Sequence, residues 1–234
     1  MRRLGVLALG TLALAGCGSA TSGAAPGRAT VWVTRDRGAV MLHVAKVPAG
    51  LTAMQGLQRV AQVGTRYGGR YVSSVDGVGE QGRRAWFYYV NGYLADRSAA
   101  EYRLRAGDVE WWDFRAWRDP AQDPVVVGSF PEPFLHGYDG KRRPAVVAAF
   151  DPANVLVRAV ARRLRARAVL ATAKIPRDAN VLFLGGGMTG TRFEGRLRTA
   201  GAPPGSPVRM LYLGDMRRLA RQRWPYRFRY EVRS

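Results

Sequence analysis

Apolar residues alternate with polar positions from residue 29 onward. Val31 and Val33 occupy alternate positions, an Arg-Asp-Arg-Gly turn follows at 35–38, and apolar residues return at positions 40, 42 and 44. This alternation around a glycine-bearing turn predicts a β-hairpin. The spacing then becomes helical: Thr52 can cap the helix, and Gly68-Gly69 ends the run.

Three further strand patterns complete the first half of the chain. Residues 70–79 have the pattern of a short strand and turn, residues 84–95 that of a strand entering an Asn91-Gly92 turn, and residues 102–117 that of a turn and a last strand. The order is strand, strand, helix, strand, strand, strand. One helix crossing one face of a mixed sheet predicts an α+β fold, with a β-grasp-like N-terminal domain (ββαβββ) over residues 29–117.

The second half has its own pattern after a proline-bearing linker at 118–124. It predicts a helix over 151–173, capped by Asp151 with Pro152 at the first helical position. The predicted strands lie at 124–134, 144–151, 180–187, 191–200, 206–215 and 225–233. Residues 125–234 are therefore expected to form a second small α/β domain.

The N-terminus has the three parts of an export signal. Arg2 and Arg3 precede a short apolar run at 4–14, and small residues lead to Cys17. Leu-Ala-Gly-Cys at 14–17 resembles the bacterial lipobox, in which the cysteine is acylated and the chain is cut before it. The resemblance implies a signal peptide at 1–16, lipidation at Cys17, a flexible tether at 17–28 and a membrane-anchored protein outside the cytoplasm. The alternative is an ordinary signal peptide with a chance cysteine.

Three motifs in the first domain occur together. They are Ser-x-Asp-Gly at 74–77, Trp-x-Tyr-Tyr-Val-Asn-Gly at 86–92, and Ala-x-Tyr-x-Leu-x-x-Gly-Asp at 100–108. The combination resembles the transcobalamin-like C-terminal domain, which occurs in bacteria as a domain of unknown function. The resemblance covers residues 29–117 and implies a β-grasp-like fold outside the cell. Animal members close over one face of cobalamin, but nothing in this chain resembles the helical barrel that completes their site.

Aromatic residues follow both faces of the predicted hairpin. Side chains of a strand alternate between faces, so one set covers the core and the other faces solvent or a partner. The outward set would form an apolar platform for a corrin ring or a glycan. The alternative is that a loop or the second half of the chain covers it. The candidate ligand-binding residues are Trp86, Tyr88, Tyr93, Leu94, Trp111 and Trp112.

Composition changes this interpretation only slightly. The formal charge is +20, and three of the 37 basic residues are lysines. Such a charge favours polyanions such as anionic lipid headgroups or envelope polymers. Because the arginines are scattered along an exported chain, the alternative is a solvated basic surface, and nucleic acid is not expected as a partner.

Catalytic and metal-binding patterns are not found. The glycines at 185–187 lack the spacing of a nucleotide-binding loop, and the run favours a wide turn. His43 and His136 are far apart, so a zinc site is not expected. His136 with Glu132 and Asp139 is the best polar cluster, and a surface loop is the alternative. We expect no enzyme activity, no cofactor and no metal.

These observations favour a non-enzymatic, lipid-anchored envelope protein that binds a small ligand for capture or uptake, with a corrinoid as one candidate ligand and a transporter as one candidate partner. The alternative is an interaction or structural module that docks another envelope protein or a cell-wall polymer. A deep pocket between the halves would favour ligand capture, and a flat exposed aromatic face would favour docking.

Overall fold

The computed structural model of the protein describes residues 27–117, 123–186, 189–221 and 223–234. These residues form mixed β-sheets with few helices, which agrees with the predicted α+β class. The predicted signal peptide, Cys17 and all but the last two residues of the predicted tether lie outside the described residues. No helix in the described ranges is long and apolar enough to cross a membrane.

The first half contains eight strands and one short helix. Their bounds are β1 (Arg28–Arg35), β2 (Val40–Pro48), α1 (Ala53–Gln58), β3 (Val63–Arg66), β4 (Tyr71–Val75), β5 (Val78–Gly79), β6 (Arg84–Val90), β7 (Tyr93–Leu94) and β8 (Val109–Ala116). The first sheet has the strand order β2-β1-β8-β6-β7, with β1 antiparallel to β2 and parallel to β8. Strands β3, β4 and β5 form a separate small sheet.

Local sequence accounts for the start of α1 and for the tight turn between β6 and β7. Thr52 Oγ1 accepts a hydrogen bond from the Gln55 N–H at 3.1 Å, and Gln55 Oε1 accepts one from the Thr52 N–H at 2.9 Å. This capping box starts α1 as predicted. Asn91 and Gly92 both have positive φ, at 50° and 83°, as the tight turn between β6 and β7 requires.

The helix α1 ends earlier than its pattern predicted. It stops at Gln58, and residues 63–66 pair with β4 as β3 instead of continuing to the glycines at 68–69. Val63 and Thr65 are β-branched and favour strand geometry, while Gly64 weakens a helix. Strand pairing therefore overrides the helical spacing here.

The second half forms a six-stranded sheet in the order β10-β9-β11-β13-β12-β14. Its elements are β9 (Ala145–Ala149), α2 (Val155–Arg163), β10 (Arg167–Leu170), β11 (Asn180–Gly185), β12 (Arg192–Leu197), β13 (Val208–Leu213), α3 (Met216–Ala220) and β14 (Val232–Arg233). Strands β10, β9, β11 and β13 are parallel, and β12 is antiparallel to β13. This half of the chain therefore consists of a mixed sheet and two helices.

The predicted helix over 151–173 was too long at both ends. Asn154, not Asp151, caps α2, because its Oδ1 accepts a hydrogen bond from the Leu156 N–H at 2.9 Å. The helix ends at Arg163, Arg165 has a positive φ of 51°, and residues 167–170 pair with β9 as β10. Asp151 instead accepts a hydrogen bond from the Ala153 N–H in the preceding turn.

Two segments that were predicted as strands connect the halves without regular pairing. Residues 124–134 contribute one bridge, between Tyr93 and Val125, and a 3-10 turn at Val127–Ser129. Residues 223–230, here the C-terminal segment, are irregular, and only Val232–Arg233 of the predicted strand at 225–233 is a strand.

Residues of the two halves pack against each other in common apolar clusters. One apolar cluster runs from the inner face of the first sheet, including Val31 and Trp112, to the second sheet, including Val147 and Met210. A smaller cluster joins the outer face of the first sheet to the segment just after the linker and to the C-terminal segment, through Trp32, Tyr89, Trp111, Val126 and Tyr230. Both faces of the central strands β1, β8 and β6 are therefore covered, whereas Val40, Met41 and Val44 of the edge strand β2 are exposed.

Candidate ligand-binding site

The predicted site residues of the aromatic hairpin lie in two groups. Trp86, Tyr88 and Trp112 lie on the inner face, where Trp86 and Trp112 are buried and Tyr88 stacks on Trp112 with ring centroids 4.8 Å apart. The Trp86 Nε1 donates a hydrogen bond to the Val78 carbonyl at 2.8 Å, and the Trp112 Nε1 donates one to Glu110 Oε1 at 2.6 Å. These rings pack in the core.

The outer group is covered. Trp111 is fully buried, and its ring lies 5.3 Å from that of Tyr230 in an edge-to-face contact. Leu94 is half-buried in the same outer cluster, whereas Tyr93 is buried in the inner cluster, where its hydroxyl donates to the Ser206 carbonyl at 3.1 Å. The open aromatic platform is thus not present among the described residues, because the C-terminal segment packs on it. Ligand binding by these side chains stays a prediction.

A pocket of about 560 Å³ lies at the junction of the two halves. The first sheet, residues 129–132, α2 and the C-terminal segment all contribute to it. Its lining consists of Trp32, Val109, Ser129, Phe130, Pro131, Glu132, Arg163, Arg223, Trp224 and Arg227. A volume of this size is typical of small-molecule sites, which occur preferentially where two structural units meet.

Two aromatic pairs form the apolar part of the pocket wall. Trp32 points to the outer face of β1, where its ring meets that of Phe228 at 4.8 Å and lies 4.5 Å from the Arg227 guanidinium. Phe130 and Trp224 pack with ring centroids 4.7 Å apart. Because these contacts join residues far apart in sequence, the fold of the whole chain fixes the shape of the pocket.

Three polar atoms of the lining residues have no hydrogen-bond partner among the described residues. They are the Nε1 atoms of Trp32 and Trp224 and the Oγ of Ser129, and all three residues are buried. An indole N–H can only donate a hydrogen bond, and a hydroxyl can donate one. A buried donor without an acceptor is costly, so each of these groups would be stabilised by an acceptor.

The charge of the pocket is mainly positive. Arg163, Arg223 and Arg227 line it together with the single carboxylate of Glu132. That carboxylate is already engaged, because it accepts hydrogen bonds from the His136 ring at 2.6 Å and the His136 backbone N–H at 2.9 Å. Partial burial lowers the pKa of the Arg227 guanidinium, which remains charged at neutral pH.

The polar cluster noted in the sequence is split in the structure. Glu132 holds His136, and this hydrogen bond raises the pKa of the histidine above its usual value. Asp139 instead pairs with Arg105 at 2.8 Å. Ser129 Oγ makes no hydrogen bond to His136, so these two side chains do not form a nucleophile–base pair.

Three aspartates lie at and after the end of β8, at positions 113, 119 and 123. Asp113 is buried and accepts hydrogen bonds from Thr34 Oγ1 and from two backbone N–H groups of the β1–β2 turn. Asp123 pairs with Arg37 and Arg115, whereas Asp119 is not described. In the described ranges no group of three or more His, Cys, Asp or Glu side chains is arranged to hold a metal ion.

The pocket residues carry no motif that would identify them in the sequence. Trp32 and Trp224 are separated by most of the chain, and neither was singled out. The one usable signal was the regular alternation of aromatic residues with arginines at 224–230, which shows that one side of this segment is buried.

One family model matches part of the first half of the chain. Residues 50–116 match a domain of unknown function, DUF4430, a transcobalamin-like family, which confirms the family resemblance of this region. Of the pocket residues, only Val109 lies in that range. No curated protein matches the chain.

The chain is similar to the solved structure of a candidate metal-binding protein from Ruminococcus gnavus ATCC 29149. It is 14% identical, and the similarity covers 39% of this chain and 98% of that one with a TM-score of 0.32. A similarity of this size identifies neither a shared fold nor a shared ligand. Residues 50–116 of this chain match the model of the DUF4430 family, and this match covers less than half of the chain.

Proposed function

We propose that this protein is a lipid-anchored, non-enzymatic envelope protein that captures a small anionic ligand in the pocket between its two halves. The observation that carries the proposal is the lining of this pocket by three guanidinium groups, those of Arg163, Arg223 and Arg227. Every one of these groups favours an acceptor that carries negative charge.

The composition of the wall narrows the ligand class. Guanidinium groups bind carboxylate and phosphate oxygens in a fixed fork geometry. The rings of Trp32, Phe130 and Trp224 provide apolar contact area beside them. A molecule with one oxyanion group and one apolar or aromatic part satisfies both features.

The cellular setting rests on the N-terminal sequence. The lipobox resemblance at Cys17 supports a protein that is tethered to the cell membrane and faces outward. A tethered protein that binds a small molecule can hold it near a transporter, and this would place the protein at the capture step of uptake.

The two more specific versions of this function receive less support. A corrinoid or a docked envelope protein was expected to use an exposed aromatic face, and in the described residues Trp111 and Tyr89 are buried under the C-terminal segment. The pocket between the halves is the feature that favours ligand capture over docking through this face.

The proposal can be tested by titrating the detergent-purified full chain while tryptophan fluorescence is recorded. Phenyl phosphate and benzoate are the anionic probes, benzamide is the uncharged counterpart, and cobinamide tests the corrinoid version. We expect saturable binding of an anionic probe and at least a 10-fold weaker response to benzamide.

Two variants locate the binding. Arg223→Gln and Arg227→Gln each remove one charge from the pocket wall, so each should weaken binding of the anionic probe about 10-fold. Arg158→Gln, at an exposed position of α2 outside the pocket, is the matched control and should bind normally. Equal binding by all three variants, or equal binding of benzamide, would contradict the proposal.

A further inference from the structure

The face of the second sheet that points away from α2, here the open face, carries two connected cavities. One of about 400 Å³ and one of about 200 Å³ share Arg196 on β12 and Arg209 on β13 in their linings. Together they form a groove from Ile175, across β11 and β13, to the edge of β12 near Pro124. This groove is separate from the pocket between the halves.

Arg196 and Arg209 are directly opposite each other in neighbouring strands. They are register partners of the antiparallel β12–β13 pair, and their side chains lie on the same face. Like charges at opposed positions of a sheet repel and destabilise it. In the parts of the chain that the structure describes, neither guanidinium has a hydrogen bond or ion pair; the Arg209 guanidinium lies 4.6 Å from the Phe183 ring.

A third arginine extends the charge along β12. Arg198 is two residues beyond Arg196 and therefore on the same face, and its guanidinium donates to the Ala179 carbonyl at 2.9 Å. A carbonyl holds the side chain in place but does not neutralise its charge. The groove thus contains three positively charged groups without a carboxylate partner among the described residues.

The other arginines near this groove, Arg192 and Arg233, do have carboxylate partners. Two carboxylates also line the groove, and both pair with arginines: Glu194 lies 2.9 Å from Arg192 and 3.3 Å from Arg233, and Glu231 lies 3.0 Å from Arg233. The unpaired charge is therefore concentrated at positions 196, 198 and 209, above an apolar floor of Val181, Phe183 and Leu211. An apolar floor lowers the local dielectric constant and strengthens attraction to an anion.

We propose that the open face of the second sheet binds a phosphodiester-linked polymer, whose phosphate groups contact Arg196 and Arg209. Two adjacent guanidinium forks on strands about 4.8 Å apart suit a phosphate group. The groove continues on both sides of this pair, so a linear chain can pass through it. A membrane surface is flat and meets protruding side chains, whereas these arginines line a recess.

The test uses the detergent-purified full chain and poly(glycerol phosphate) as the probe. Arg196→Gln/Arg209→Gln should weaken polymer binding at least 10-fold and reduce the slope of log affinity against log salt concentration by about two, one for each lost phosphate contact. The matched control is Arg158→Gln/Arg162→Gln, which removes the same charge from exposed positions of α2 and should change affinity less than about 3-fold.

Three results would overturn the proposal. The first is an equal loss of affinity in the control, since that indicates attraction to the overall charge. The second is a loss of binding to phosphatidylglycerol vesicles with unchanged polymer binding, which indicates lipid headgroups. The third is no measurable polymer binding by the unmodified chain. Phenyl phosphate binding at the pocket between the halves should stay unchanged in both double variants.

A stability measurement separates a binding role from a structural one. Because Arg196 repels Arg209 in the free protein, Arg196→Gln alone should keep or raise the melting temperature while it weakens polymer binding. A lower melting temperature together with weaker binding would show that Arg196 supports the fold and would overturn the assignment.

Discussion

Replacing Trp111 by alanine tests whether the C-terminal segment covers the outer face of the first sheet. Trp111 is fully buried on β8, and its ring lies 5.7 Å from that of Trp32 and 5.3 Å from that of Tyr230. Its Nε1 donates a hydrogen bond to Thr34 Oγ1 at 2.8 Å. The substitution removes all of these contacts at once.

The magnitude follows from the area that the ring buries. A buried aromatic side chain removes roughly 150–250 Å² from water, which at about 25 cal/mol per Å² corresponds to about 4–6 kcal/mol. Trp→Ala changes in protein cores cost about 3–5 kcal/mol. We expect the free energy of unfolding to fall by about 4 kcal/mol, which for a chain of this size lowers the melting temperature by about 8–16 °C.

The assay is thermal unfolding of the detergent-purified full chain, monitored by near-ultraviolet circular dichroism. Trp117→Ala is the matched control, because this ring near the end of β8 is half-exposed and contacts the Arg83 guanidinium at 5.6 Å. It should cost about 1 kcal/mol or less. If Trp111→Ala melts within about 2 °C of Trp117→Ala, the outer face is not covered and the reasoning fails.

Three further outcomes are expected. Cys17→Ser should abolish labelling by radioactive palmitate and leave uncleaved precursor, and labelling that persists would show that another residue is acylated. Gly38→Ala should destabilise the fold by at least about 2 kcal/mol more than Gly68→Ala. Both glycines have positive φ, but a Cβ on residue 38 would overlap the backbone of the C-terminal segment, whereas a Cβ on residue 68 would meet open space. His136, whose hydrogen bond with Glu132 raises its pKa, should contribute stability that is full below about pH 6.5 and lost as pH rises through the raised value. Denaturant titrations at pH 5.5 and 9 should show that His136→Gln removes this difference, and an unchanged pH dependence would exclude the histidine as its source.

Local signals in the sequence were sufficient for the elements that depend on few residues. The Thr52 capping box, the Asn91-Gly92 turn and the alternation in β1 and β2 each concern a short segment, and each was predicted. Backbone conformation and short-range hydrogen bonds decide such features, so distant contacts do not change them.

Elements that depend on distant partners were predicted poorly. Residues 167–170 continued a helical pattern, but they pair with β9 because an exposed edge was available there. The alternation at 225–233 was interpreted as a strand, although in the structure it places Phe228 and Tyr230 against the first sheet without a hydrogen-bonded ladder. Periodicity reports which side of a segment is buried, but it does not report what buries it.

The candidate pocket illustrates the same limit. Its lining includes residues 32, 129 and 224, which no local pattern connects. The sequence predicted aromatic rings on a sheet face and a possible partner for them within the chain, but the identity of that partner depends on the packing of the two halves.

The C-terminal segment links the stability of the fold to the proposed ligand site. Tyr230 covers Trp111, and six residues earlier Trp224 lines the pocket together with Arg227. A ligand that contacts Trp224 and Arg227 binds only when this segment is packed, so occupancy and packing stabilise each other. At a concentration 100 times its Kd, such a ligand adds about 2.7 kcal/mol to stability. This is more than half of the roughly 4 kcal/mol that we expect the Trp111→Ala substitution to remove. Ligand binding and coverage of the first sheet both depend on the packing of the C-terminal segment, so each measurement reports on the same packing equilibrium.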